Sequence, residues 1–226
     1  MKILLLVALA LAPGIAIAVY FFVKDKFEKE PLSAIFISFV LGCFSVVPAI
    51  ALEWFFMSKF PTAPTNIAIT AVNAFVIIAG AEELSKYLML RFYSKSSNFN
   101  EPYDGIFYGV MVSLGFAAVE NIMYVAQGGF AVGLLRMFTA VPAHAMFGAI
   151  MGYYFGLAWV DKNNKEKHML RGLFAAILLH GAYDFFLLQE NYPGLGFVSF
   201  MGLFLTWKLV RKAIIAHNSI YPNKLD

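Results

Sequence analysis

Two adjacent carboxylates and an ammonium, in Glu82-Glu83-Leu84-Ser85-Lys86, stand inside an apolar run from about residue 66 to 90 that is long enough to cross a bilayer. A charge at the bilayer centre costs at least ~2.5–3.5 kcal/mol on insertion scales, so such groups need partners, water or a task. On a helix Glu82 lies four residues from Lys86 and Glu83 three, so both carboxylates reach one ammonium. That pairing alone would be a self-neutralised ion pair, but it leaves one negative charge over. The surplus binds a proton, ligates a cation or acts on water, and a carboxylate crowded by another in a low dielectric can serve as a general base. Other apolar runs supply Glu120 beside Asn121, His144 two residues after Pro142, and His180 four residues before Asp184. The last spacing lets a carboxylate orient an imidazole. Singly, each His or Asn is explained by a hydrogen bond between helices. Convergence from four helices argues for chemistry instead. Asp104, after a turn at Pro102-Tyr103, reads as a helix cap, Tyr124 as packing and Cys43 as a small buried hydrophobe.

The elements that position these groups are membrane helices. Of 226 residues, 61% are hydrophobic and 14% charged, with 24 Phe, and the mean hydropathy is +0.72. Long uncharged runs of this kind mark an integral membrane protein. Spans are expected at about 3–23, 32–56, 66–90, 105–126, 134–160, 168–188 and 194–209, with Gly128-Gly129 closing the fourth. The expected fold is thus an all-α, polytopic transmembrane bundle of about seven spans, one domain over 1–226 with core spans at about 66–188. The first run could also be a secretory signal with a small-residue site at Ala16-Ile17-Ala18; its length and the charged stretch 24–30 favour a retained helix. Phe60 to Pro64 reads as a turn, and Gly148, Gly152 and Gly156 as a close-packing stripe.

A net charge of +3, with basic residues confined to loops, gives no nucleic-acid footprint, and a single Cys permits neither an intrachain disulfide nor a Cys metal cluster. Seven spans place 13 of the 17 Lys and Arg on one side, so the N-terminus is expected outside and the C-terminus in the cytoplasm. Helix rise puts Glu82 about 12 Å from the cytoplasmic end, His180 about 18 Å, and Glu120, His144 and Asp184 about 22–24 Å, which leans outward.

Taken together, Glu82-Glu83-x-x-Lys86, Phe116-Ala-Ala-Val-Glu120-Asn121, Pro142-Ala143-His144 and His180-Gly-Ala-Tyr-Asp184 resemble the signature of the PrsW proteases. Ala12-Pro13-Gly14 and Tyr103-Asp104-Gly105-Ile106-x-Tyr108-Gly109 extend the likeness over nearly the whole chain. PrsW proteins are bacterial relatives of the CAAX-processing membrane peptidases, whose helical core holds a polar cavity. The resemblance implies a site-1 protease of the bacterial cell membrane, making the first, extracytoplasmic cut in a single-pass anti-sigma factor under envelope stress. It also implies roles: Glu82 as the base that activates water, Glu83 as a positioning group, and His180 with Asp184 at the oxyanion. Phe116 to Glu120 falls on a Phe-x-x-x-His pattern, with Glu where that pattern has His, and His144 is expected to restore the imidazole. Lys86 stands where the CAAX enzymes have a slightly later Arg, and these departures argue against a prenylated-cysteine substrate. The expected enzyme is glutamic-type, with no cofactor. The alternatives are a zinc site of Glu82, Glu120, His144 and His180, a proton-coupled transporter, and a non-catalytic scaffold.

Overall fold

Helices that are apolar on every face must either be buried in a large core or face lipid. Here they face lipid: Phe36, Phe44, Trp54, Phe92, Phe174 and Phe197 all point out of the bundle. A computed structural model describes residues 2–60 and 66–220 and contains no strand among them. Its helices are α1 (Lys2–Lys24), α2 (Leu32–Met57), α3 (Ile67–Val72), α4 (Ala79–Tyr93), α5 (Pro102–Phe138), α6 (Ala140–Val160), α7 (Lys165–Leu187) and α8 (Gly196–Ile220). A π-helical turn, Asn73–Ile78, joins α3 to α4 into one rod.

Four helical stretches are long and apolar enough to cross a membrane, and one of them, Pro102–Val160, has 59 residues. That stretch folds back on itself. Gly105 meets Gly152 and Gly156, and Gly109 meets Gly148, so closely that a Cβ on any of them would collide with the facing helix. The small-residue stripe is therefore spent on antiparallel packing of α5 with α6. Helix α1 joins the bundle through the Tyr103 hydroxyl, which donates to the Phe21 carbonyl at 2.8 Å, and through the Tyr20 ring against Trp207 of α8. The helical bundle expected from the sequence is the fold observed.

Three details differ from expectation. Gly128-Gly129 does not end the fourth span: Gly129 adopts φ 68°, a conformation glycine tolerates, and the helix kinks there but continues to Phe138. Helix α6 accordingly begins at Ala140 rather than near Leu134, and α8 runs on to Ile220. The turn expected at Phe60 to Pro64 lies, after Phe60, outside the described residues.

Two features set the helix register around the polar groups. The π turn bulges against α7, where Phe75 leaves no room for a side chain at Gly181, directly beside His180. Such turns are frequent at functional sites. At the other end of the bundle the Asp104 carboxylate accepts the backbone N–H groups of Asn100 (2.6 Å) and Glu101 (2.7 Å), and the Tyr108 hydroxyl donates to Glu30. Asp104 thus caps α5 from within its first turn rather than from before it.

Candidate active site

Helix α4 supplies the centre of the site. Lys86, 1% exposed, places its Nζ 2.7 Å from Glu83 Oε1 and 3.2 Å from Glu82 Oε2, as the helical spacing requires. The same Nζ lies 3.2 Å from His144 Nδ1 on α6 and 4.1 Å from the centre of the Phe116 ring on α5. An ammonium has only donors to offer, so His144 Nδ1 accepts, and its Nε2–H donates to Glu120 Oε2 at 2.8 Å. From α7, His180 stands between two carboxylates: Nδ1 is 2.8 Å from Glu83 Oε1 and Nε2 is 3.2 Å from Asp184 Oδ2. Phe147 stacks on its ring, with centroids 5.1 Å apart. The six acid, base and cation groups singled out on α4, α6 and α7, together with Glu120 from α5, form one connected network.

A cavity of about 420 Å³ leads to this network, its wall formed in part by Ile50, Met57 and Leu187. Glu82, Glu120, His144, His180 and Asp184 line it, whereas Glu83 and Lys86 stand behind. The two adjacent glutamates therefore differ in kind. Glu82 faces the space a reactant would occupy, and Glu83, 0% exposed, braces Lys86 and His180 from inside.

Two further charged residues line the cavity that the sequence reading did not assign to it, Glu53 on α2 and Arg136 beyond the kink in α5. Arg136 Nη2 is 2.9 Å from Glu120 Oε2, its Nε–H donates to Asn121 Oδ1 at 2.7 Å, and its guanidinium lies 4.0 Å from the Tyr124 ring centre. Tyr124 is thus part of the cavity wall and a cation platform, not mere packing. Asn121 holds Arg136 and donates to the Ala10 carbonyl at 3.2 Å, so it supports the mouth from outside. Glu53 and Arg136 were visible by the rule that exposed the others, an ionisable residue within an apolar run. Cys43 is half-buried with a free thiol and stands away from this network.

A metal ion has a possible set of donors here. Glu82, Glu83, His144 and His180 each offer an atom, all within 4.8 Å of one another. Glu83 takes the place that the sequence reading gave to Glu120, which turns instead to Arg136 and the far side of His144. Two carboxylates and two imidazoles suit zinc. Three of the four donors, however, already converge on the Lys86 ammonium, so an ion could enter only by displacing it.

A helical membrane bundle with buried acids, bases and a cavity opening onto them has the parts of a membrane-embedded hydrolase. The chain belongs to the PrsW family: a family model described as "PrsW family intramembrane metalloprotease" matches residues 30–210. It is 36% identical to protease PrsW of Geobacillus kaustophilus HTA426 over 92% of this chain and 90% of that one. Protease PrsW of Bacillus subtilis 168 is 32% identical over 92% and 94%, and that of Clostridioides difficile 630 is 35% identical over 74% and 72%. No solved structure matches the chain at a significant level. The relatives' names make this a peptidase family, which sets aside the transporter and scaffold alternatives.

Proposed function

We propose that the protein is a glutamic-type endopeptidase that makes the first, extracytoplasmic cut in a single-pass anti-sigma factor of a bacterial cell membrane. The observation that carries this reading is the division of labour in the Glu82-Glu83 pair, one facing the cavity and the other bracing a buried cation. Glu82 takes a proton from water, and the hydroxide adds to the scissile carbonyl carbon. The oxyanion accepts a hydrogen bond from His180 Nε2–H, while Nδ1 is held by Glu83 and Asp184 stands beside Nε2 as a counter-charge without a formed hydrogen bond. Glu82 then returns its proton to the leaving amine as the C–N bond breaks. Lys86 supplies the positive charge that keeps this dense cluster of carboxylates in place. The cavity opens toward the ends of α2 and α7, opposite the loops that carry most of the Lys and Arg, which supports an outward-facing mouth with the N-terminus outside and the C-terminus in the cytoplasm.

The donor set of Glu82, Glu83, His144 and His180, with the family's description, favours a second reading in which these residues hold a zinc ion. Such an ion would act as a Lewis acid on water or carbonyl.

The test is cleavage in proteoliposomes that contain the purified protein and a candidate single-pass anti-sigma factor, with the new termini identified by mass spectrometry. A cut on the extracytoplasmic side, made by wild type and lost in His180→Ala, is the expected result. A substrate left intact by wild type would contradict the assignment.

A further inference from the structure

Most of the acids on the cavity wall stand beside a basic group. Glu82 has Lys86 at 3.2 Å, Glu120 has Arg136 at 2.9 Å and His144 at 2.8 Å, and Asp184 has His180 at 3.2 Å. Glu53 lines the same cavity, yet no hydrogen bond or ion pair reaches its carboxylate among the described residues. It is one turn from the end of α2, as Asp184 is one turn from the end of α7, so both stand at the mouth rather than at the centre. Its neighbours on the wall include Ile50, Met57 and Leu187, none of which can satisfy a carboxylate. Glu53 is only partly buried, so its carboxylate is open to a cation that enters the cavity.

From this imbalance we infer that Glu53 forms a subsite for a cationic side chain of the peptide substrate, a Lys or Arg within a few residues of the scissile bond. This deepens the endopeptidase reading and rests on it. Arg136 stands on the same wall and repels such a side chain from the Glu120 side, and of the two acids at the mouth Asp184 is paired with His180, which leaves Glu53 as the one without an ion-pair partner among the described residues. A charged pair formed there, partly shielded from water, carries more discrimination than one on an exposed surface. Peptides with Glu in the same position meet a like charge and are turned away.

The experiment uses the full-length protein in lipid nanodiscs and internally quenched peptides on a Leu/Ala background, with a single Lys, Gln or Glu walked through each position on both sides of the centre. Wild type should prefer Lys over Gln by about tenfold or more in kcat/KM at one position, chiefly through KM, a ratio that corresponds to ~1.4 kcal/mol. In Glu53→Gln, which keeps shape and hydrogen-bonding groups but loses the charge, that ratio should collapse to within about twofold. In Glu53→Lys it should invert to favour the Glu peptide, a gain that a misfolded variant cannot produce. The same Lys:Gln:Glu ratios in wild type and Glu53→Gln, with cleavage intact, would overturn the subsite and leave the peptidase standing. If wild type cuts no peptide in the set, the endopeptidase reading itself fails, and the subsite with it.

Discussion

Two clusters of buried carboxylates occupy opposite ends of the bundle, and they handle the cost of burial in opposite ways. At the cavity, Glu82, Glu83, Glu120 and Asp184 are interleaved with Lys86, Arg136, His144 and His180, so nearly every charge has a counter-charge within about 3 Å. At the other end Asp25, Glu30, Glu101 and Asp104 are as deeply buried, but no ion pair reaches any of them among the described residues. The nearest ammonium, on Lys29, donates to the backbone carbonyls of Phe22 and Asp25 instead. Hydrogen bonds from Tyr108 and the backbone serve that cluster, and burial pushes Asp25 and Glu30 above the usual carboxylate range. Burial, reinforced by the neighbouring Asp25, raises Glu101 to about 8. One cluster sets its acids beside cations and imidazoles at the cavity. The other relies on hydrogen bonds and raised carboxyl pKa values, and it clasps the α1–α2 loop to the start of α5.

The contrast can be broken most severely at Lys86. Lys86→Met takes from Glu82 and Glu83 the ammonium they share, and breaking a buried pair in this way costs about 3–5 kcal/mol. A large drop in thermal unfolding temperature in detergent, with the opposite end of the bundle unaltered, is the expected readout. Next in size, His180→Ala removes the proposed oxyanion donor and should lower kcat by about 10²–10³, with a fall in melting temperature smaller than that of Lys86→Met. Arg136→Gln takes the counter-charge from Glu120 at the mouth; a loss of about tenfold in kcat/KM, or ~1.4 kcal/mol, is expected in the same cleavage assay.

The smallest effect belongs to the acid clasp and has a defined sign. A carboxyl whose pKa is higher folded than unfolded stabilises fully below its ordinary value, here 4.5, and loses that contribution as pH rises through about 8. Wild type should therefore melt lower at pH 8 than at pH 5. Glu101→Gln, which cannot ionise, should flatten that dependence by about 2–4 °C for each 1 kcal/mol removed. An unchanged slope in Glu101→Gln would mean the clasp is held by something other than protons.

Much of this arrangement could be read from the sequence because helix arithmetic is rigid. Lys86 meets Glu82 and Glu83, and Asp184 meets His180, as a consequence of three- and four-residue spacing alone. The glycine stripe marked a close-packing face, but not that α5 would be the helix to meet it. What could not be read depends on rotations between helices. The π turn at Asn73–Ile78 looks like any other apolar stretch in sequence, yet it helps set the rotation of α4 and so which glutamate faces the cavity. Glu120 turns to Arg136 and the far side of His144, so Glu83 takes its place in the set of possible metal donors. Arg136 reaches Glu120 across a helix that carries on past the Gly129 kink, where the span was expected to end.

The measurement that goes most directly to the central claim is turnover of a single-pass substrate by one preparation before and after metal removal, with metal content read by mass spectrometry on the same sample and Glu82→Gln run beside it. If Glu82 activates water with Lys86 as its resident cation, turnover persists when metal is far below one ion per chain, and Glu82→Gln falls by about 10²–10⁴. Turnover that rises and falls with one bound ion per chain, or a Glu82→Gln protein that cuts as fast as wild type, would contradict it.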